Sequence, residues 1–254
     1  MRAFVTAIAV CLLALPIILA PDRDARADEI KLMAVNAIKE ALLELIPTFE
    51  RSSGHKVTTI WGGTEANTKR ISGGEVVDLV IVAAPNIEKL IAEGKLVTGS
   101  RADVTKSGIG VAVRAGLPKP DISSGEAVKN AVLAARRVAY SSGPSGFYLV
   151  DLFRTMGIAG QIKDKVKQPP SGAQVSDLLA RDEADLGFQQ VSELQHRKGI
   201  DYLGPLPADI QHTTVFSAGL HAAATAPEAA KALVKFLTAP EAGPAIRKIG
   251  MEPG

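Results

Sequence analysis

The sequence contains a single cysteine, Cys11, which lies inside an apolar N-terminal segment. The residues around Cys11 are also apolar, so a lipid-attachment cysteine is not expected there. The rest of the chain therefore cannot form a disulfide, a thiolate metal site or a cysteine nucleophile. It has to fold on its hydrophobic core alone, and a length of about 227 residues is ample for one large or two small domains.

The chain also lacks a large excess of either positive or negative charge. The chain carries 29 basic and 27 acidic side chains, and because three arginines and two aspartates fall within residues 1–27, the remainder carries 26 and 25. This near balance excludes the basic excess of a nucleic-acid-binding protein, so no nucleic-acid partner is expected. Beyond the N-terminal segment no apolar run approaches 18 residues, and no transmembrane helix is predicted.

The N-terminal segment has the features of a secretory signal peptide. A positive start at Met1-Arg2 precedes an almost wholly apolar run over residues 3–20, and Ala25-Arg26-Ala27 places small residues where signal peptidase requires them. The alternative is a membrane anchor, but the run is short for a spanning helix and Pro16 interrupts it. We predict cleavage after Ala27 and a periplasmic mature protein.

The rest of the chain alternates between strand and helix patterns. Strands are predicted at residues 29–35, 56–61 and 76–83, each followed by a helix, at 36–50, 65–72 and 86–93. Such βαβ order implies a parallel sheet. The pattern continues to the C-terminus, so we predict an α/β protein.

Three predicted strands end in turns of small or polar residues where a helix begins, at residues 35–37, 62–64 and 143–146. In open α/β sheets, ligands bind at this edge. Exposed helix N-termini present free N–H groups and positive dipole ends, which suit an anion. We therefore expect a small anionic ligand held without lysine or arginine.

The same stretches resemble the periplasmic molybdate-binding protein family, the substrate-binding component of ABC importers. The resemblance covers nearly the whole chain after residue 27 and is carried by residues 32–42, 62–64, 77–84, 143–148, 182–188 and 227–242. It implies a type II periplasmic-binding-protein fold with two lobes, each a mostly parallel sheet flanked by helices, and a ligand in the cleft. Lobe one would span residues 28–103 plus 205–254, lobe two residues 104–204, and ligand binding would close them about two crossovers.

The resemblance also implies a partner, an ABC permease in the inner membrane, and a molybdate-like oxyanion as ligand. Members of the family hold that oxyanion with two hydroxyl side chains, backbone N–H groups and a tyrosine hydroxyl. The corresponding ligand-binding positions here are Asn36, Ala37, Thr64, Ser145, Gly146, Gly172 and Gln190. Ala37 lacks the first hydroxyl and Gln190 replaces the tyrosine. Because amide side chains both donate and accept, these departures favour a carboxylate or a partly protonated ligand.

Residues 107–114, 143–148 and 187–194 also resemble the branch of this family that contains periplasmic aconitate isomerase. This resemblance implies an alternative function, interconversion of trans- and cis-aconitate by proton transfer at an allylic carbon. Arg70 and Arg114 are candidates to clamp carboxylates bidentately, and His212 or Glu193 to move the proton. Arg114 and Glu193 also fit the role of ordinary surface residues, and His212 that of a loop histidine. We favour the transport receptor because transport is the usual role of the fold.

Other kinds of site are not predicted. The four histidines are scattered, with no pair four residues apart on one helix, so we expect no metal site. The chain has no P-loop and no complete G-x-G-x-x-G motif, and Phe147 stands where a serine-hydrolase turn needs glycine. We expect no cofactor, and, since nothing indicates oligomerisation, a monomer.

Overall fold

The computed structural model describes residues 27–254, so the predicted signal peptide lies outside the described residues except for Ala27. The strands are β1 (Glu29–Val35), β2 (Lys56–Gly62), β3 (Leu79–Ala83), β4 (Ala102–Ser107), β5 (Ile109–Arg114), β6 (Val138–Tyr140), β7 (Val166–Lys167), β8 (Leu186–Gln190), β9 (Ile200–Pro205), β10 (Thr214–Leu220) and β11 (Glu252–Pro253). The helices are α1 (Lys39–Ser53), α2 (Thr64–Ser72), α3 (Ala84–Ala92), α4 (Gly125–Ala134), α5 (Pro144–Thr155), α6 (Ala159–Ile162), α7 (Val175–Ala180), α8 (Val191–Leu194), α9 (Pro227–Leu237) and α10 (Gly243–Lys248). No helix in this range is long and apolar enough to span a bilayer.

Two sheets organise the described chain. The first has six strands in the order β11-β4-β10-β3-β1-β2, and the second has five in the order β7-β6-β8-β5-β9. Each sheet is packed against its own apolar core. The predicted α/β class with two helix-flanked sheets is confirmed.

Each sheet is mixed rather than mostly parallel as expected. In the first sheet β1 runs parallel to β2 and β3, whereas β10 runs antiparallel to β3 and β4. In the second sheet β6 is parallel to β7 and β8, whereas β5 is antiparallel to β8 and β9. The antiparallel strands β4, β5, β9 and β10 are the ones that carry the chain from one sheet to the other.

The chain crosses between the sheets twice. Only Gly108 separates β4 from β5, and residues 206–213 separate β9 from β10. The predicted boundary at residue 103 falls inside β4, a strand that the sequence did not indicate. Since β4 pairs with β10, the chain stays in the first sheet as far as Ser107. Both crossings lie side by side at the base of the cleft between the sheets.

Asp78 is the one polar residue in the apolar run at residues 76–83, and its hydrogen bonds join the first sheet to the segment before α9. Its carboxylate accepts hydrogen bonds from the backbone N–H groups of Lys31 (2.8 Å), Thr225 (2.6 Å) and Ala226 (2.9 Å). Burial alone would raise the pKa of Asp78, but these donors outweigh it and the pKa lies below its ordinary value. The aspartate therefore joins β1 to the segment that starts α9, a structural role.

Candidate functional site

A small cavity of about 40 Å³ lies between the two sheets, at the carboxyl ends of their parallel strands. Its wall consists of turn residues from both sheets: Val35, Asn36, Ala37, Gly62, Gly63, Thr64, Ser141, Ser142, Gly143, Pro144, Ser145, Ser171, Gly172, Ala173, Gln189, Gln190, Glu193 and Phe216. The three turns singled out in the sequence therefore meet in one place. The structure brings together all the predicted ligand-binding positions except Gly146.

The first sheet contributes two helix starts to this cavity. Where β1 ends, the chain turns through a 3-10 turn at Asn36–Ile38 into α1, and where β2 ends, Gly63 precedes the first residue of α2. Thr64 is 3% exposed, at the first turn of α2. Residues of both helix starts line the same cavity, and helix starts of this kind suit an anion.

The second sheet contributes the start of α5. The Ser141 hydroxyl lies 2.8 Å from the Ser145 hydroxyl and accepts a hydrogen bond from the Gly146 N–H at 3.2 Å. The predicted donor at Gly146 is thus engaged within the protein, and Gly146 supports the turn from behind the cavity wall. The hydroxyl oxygen of Ser142, by contrast, is buried with no hydrogen-bond partner in the described structure.

The two halves touch directly at one side of the cavity. The Asn36 amide nitrogen donates to the carbonyl oxygen of Gly172 at 2.8 Å, and the backbone N–H of Ala66 donates to the Ser171 hydroxyl at 3.2 Å. A Cβ atom added to Gly63 would lie 2.5 Å from the backbone nitrogen of Gly172. The cleft is therefore closed, with hydrogen bonds of the protein itself across it.

Gln190, the residue at the predicted tyrosine position, connects the cavity to both crossings. With its amide oxygen accepting from the Thr214 hydroxyl at 3.0 Å, its nitrogen lies 3.1 Å from the Ser107 hydroxyl and 3.2 Å from the Gly108 carbonyl. Gln190 is 3% exposed. Its side chain thus binds the two segments about which the sheets would move, in addition to lining the cavity.

Glu193 is the only ionisable side chain among the lining residues. It is 8% exposed, and the Gln174 amide nitrogen donates to its carboxylate at 3.2 Å. Burial raises the pKa of Glu193 to about 7, against smaller lowerings by the Gln174 hydrogen bond, the charge of Arg197 and a Gln189 hydrogen bond. Because Glu193 follows Gln190 by three residues, the short helix α8 returns it to the same side of the chain.

The remaining candidates lie elsewhere. Arg70 forms a bidentate pair with Glu75, with its Nε at 2.6 Å, and it does not line the cavity. Arg114 lies at the far end of β5, about 16 Å along the strand from the cleft, with Nε 3.4 Å from an Asp182 carboxylate oxygen. Neither arginine is positioned to clamp a ligand there, because each faces a local acidic partner.

His212 is also outside the cavity. Its ring is exposed and stacks on Tyr148 at a centroid distance of 4.6 Å, in a separate open groove beside Phe147. Of the two proton-transfer candidates, only Glu193 reaches the cavity. Among the described residues no three histidine, aspartate or glutamate side chains group as metal ligands.

Four polar lining residues were missed in the sequence: Ser141, Ser142, Ser171 and Gln189. Ser142 and Ser171 are ordinary turn residues by composition, and nothing in one sequence marks their hydroxyls as inward-facing. Gln189 lines the cavity while its amide oxygen accepts from the Val175 N–H at 2.8 Å. The doubled glutamine was the available signal, since two adjacent buried amides at a strand end are unusual for packing alone.

The chemistry of the wall is that of neutral donors around one acid. Within residues 27–254 no lysine or arginine lines the cavity. Backbone N–H groups at helix starts, serine and threonine hydroxyls and glutamine amides can stabilise an anion without an opposite full charge. Glu193 adds an acceptor, or, when protonated, a donor.

Comparison with known proteins agrees with this geometry. Residues 30–252 match the bacterial extracellular solute-binding protein family. The chain is 35% identical over 227 residues to an aconitate isomerase of a Pseudomonas species, covering 87% of this chain and 86% of that protein. It is 26% identical to the molybdate-binding protein ModA of Azotobacter vinelandii, covering 89% and 90%.

The solved structures that resemble the chain include a periplasmic molybdate-binding protein of Azotobacter vinelandii, with a TM-score of 0.75 and 20% identity, covering 89% of this chain and 99% of that one. That likeness establishes the two-lobed fold. Together with the family match over most of the chain, it shows that this protein belongs to the bacterial extracellular solute-binding protein family.

Proposed function

We propose that this protein is a periplasmic receptor that captures a small anion, an oxyanion or a carboxylate, between two lobes and presents it to an ABC permease in the inner membrane. The convergence of three helix-start turns on one cavity, which no described lysine or arginine lines, carries the proposal. Export would follow cleavage after Ala27. The lobes would be the two sheets with their helices, moving about the crossings at Gly108 and residues 206–213.

The order of events follows from the contacts. An anion entering the open cleft meets the donors of one lobe first. Closure then adds the donors of the other lobe and the bonds that Asn36 and Ser171 make across the cleft. Because the donors are held by helix starts, they need little rearrangement to receive the charge.

The first prediction concerns ligand class. In a thermal-shift panel of molybdate, tungstate, sulfate, citrate and trans-aconitate, at least one anion is expected to raise the melting temperature. A hundredfold excess over Kd stabilises the folded state by about 2.7 kcal/mol. Neutral sugars of similar size serve as controls. If no anion shifts the melting temperature at millimolar concentration, the proposal fails.

A second candidate function, aconitate isomerisation, is favoured by one observation: a buried carboxyl group with a pKa of about 7 lines the ligand cavity. Such a group is suited to take and return a proton near neutral pH. Glu193 would remove a proton from the allylic methylene of trans-aconitate as the double bond shifts. It would then deliver a proton to the former vinyl carbon, which leaves no net change in atoms or charge. The 35% identical aconitate isomerase supports this candidate.

The second prediction tests this candidate directly. Incubation of the protein with trans-aconitate in deuterated water is expected to yield cis-aconitate carrying deuterium. Glu193→Gln should reduce the rate by about 100-fold or more, the contribution of a positioned acid–base group. His212→Gln is the matched control and should keep the wild-type rate. Absence of turnover by wild-type protein would rule out the isomerase and leave the receptor standing.

A further inference from the structure

Among the described residues Glu193 has no salt-bridge partner; the charge of Arg197 lowers its pKa, but by less than burial raises it. The Gln174 amide donates to its carboxylate at 3.2 Å. The Arg197 guanidinium donates to the backbone carbonyl of Glu193 at 3.3 Å, not to the carboxylate. A buried carboxylate without a paired cation is costly, so the group is held near the point where it gains or loses a proton.

The main elements packed against α8 bring no charged side chain to the wall of the cavity. These are the turn at Asn36–Ile38, β5, β8 and β9. The turn and β8 hold no ionisable side chain, and β5 and β9 hold Arg114, Asp201 and Tyr202. Strand register places Arg114 and Asp201 at the end of the sheet away from the cleft, and the ring of Tyr202 lies against Gly110.

Two other nearby cations, Lys248 and Lys39, are engaged away from the cavity. The segment at Gly250 packs against Val191, and the nearby Lys248 is paired with Glu44 at 2.7 Å. Lys39, which begins α1, lies over the ring of Trp61 at 5.5 Å. A bound anion would therefore sit beside Glu193 with no positive side chain between them.

We infer that the site selects an anion that shares one proton with the Glu193 carboxyl, so that its ligand is a carboxylate rather than a fully ionised oxyanion and its capture near neutral pH takes up one proton. This inference rests on the proposed function. Two negative charges in one desolvated cavity repel each other, and a proton between them converts the repulsion into a hydrogen bond. Either the protonated Glu193 donates to the ligand, or a protonated ligand donates to Glu193.

The sign of the pH dependence follows. Burial raises the pKa of free Glu193 to about 7, and a neighbouring anion raises it further. Below this pH the proton is already present and binding takes up little. Above it, each pH unit costs about tenfold in affinity until the pKa in the complex is reached. Carboxylates share such a proton more evenly than sulfate does, because their proton affinity is closer to that of glutamate.

The test is calorimetric titration with trans-aconitate and with sulfate between pH 6 and 9, in buffers of different ionisation enthalpy. Both probes are fully ionised between pH 7 and 9. Over this range the affinity of the wild-type protein for trans-aconitate should fall roughly 50-fold, and at pH 8 each binding event should take up nearly one proton. Glu193→Gln, which is always neutral, should show no such fall. Its preference for trans-aconitate over sulfate at pH 8 should be about tenfold smaller than that of wild type.

Glu126→Gln removes an exposed glutamate of the second lobe and should keep the wild-type pH profile. If wild type and Glu193→Gln share one pH profile, the proton-sharing inference is overturned while anion capture stands. If neither probe binds either protein even at pH 6, the inference is overturned, while anion capture stands or falls separately with the thermal-shift panel of five anions. A sulfate preference in wild type at pH 8 would overturn the assignment of carboxylates as ligands.

Discussion

Replacing Gly63 by alanine is expected to weaken ligand binding roughly 10- to 100-fold with little change in the stability of the ligand-free protein. The added Cβ would lie 2.4 Å from the Ser171 hydroxyl oxygen and 2.5 Å from the Gly172 nitrogen, across the cleft. Overpacking of this kind costs about 1–3 kcal/mol. Because the clash exists only when the sheets approach, the cost falls on the closed, ligand-bound state.

Backbone strain does not contribute to this prediction. Gly63 has φ −90° and ψ 161°, an extended conformation open to alanine. Gly172 is a poorer choice for the same test because its φ of +89° would strain any other residue. The measurement is calorimetric affinity for the strongest ligand of the anion panel, with thermal unfolding of the ligand-free protein alongside.

The matched control is Gly160→Ala. A Cβ at Gly160 meets nothing within 4 Å, and alanine in a helix is, if anything, stabilising by up to about 1 kcal/mol. It should leave affinity unchanged. Wild-type affinity in Gly63→Ala would contradict the view that binding requires the closed contact seen between Gly63 and the 171–172 turn.

The second large effect is expected from Gly146→Ala, which should destabilise the second lobe by about 3 kcal/mol or more and abolish ligand binding. A Cβ at this position would lie 1.6 Å from the Ser141 carbonyl oxygen and 2.7 Å from its carbon. These are backbone atoms that cannot swing aside. The start of α5 would have to move away from Ser141, taking the Ser145 position out of the cavity wall.

Chemical denaturation followed by circular dichroism measures this loss. Gly160→Ala again provides the comparison, since both glycines are in short helices of the same lobe. The fluorescence of Trp61, the only tryptophan in the chain, reports on the first sheet separately. If the denaturation midpoint of Gly146→Ala equals that of Gly160→Ala, the close contact with Ser141 is dispensable.

The sequence predicted the fold well where periodicity was strong. The first three strands were predicted close to their observed bounds, because buried apolar runs are a local signal. The strand β4 was missed because its residues, Ala102–Ser107, mix charged and apolar side chains without a clear alternation. Its pairing with β10 is a contact between distant segments, which local pattern does not encode.

The candidate site was predictable to the extent that it is built from backbone. Strand ends followed by helix starts locate Thr64 and Ser145 from the order of elements alone. Side-chain direction was not predictable: Arg70 and Arg114 are suitable for carboxylates by type, yet nearby acidic residues hold both away from the cleft. Glu193 shows the opposite case. By sequence it is an ordinary acidic residue, and only its burial in the structure raises its pKa to about 7.

The bonds that Asn36 and Ser171 make across the cleft bear on how long a solute stays bound. Opening of the cleft has to break these hydrogen bonds whether the bound ligand has high or low affinity. Part of the barrier to release is therefore common to every ligand, and it slows the dissociation of tight and weak ligands by the same factor. A minimum residence time between the sheets thus becomes a property of the protein, and under the proposed function it would give even a weakly held solute time to reach a permease.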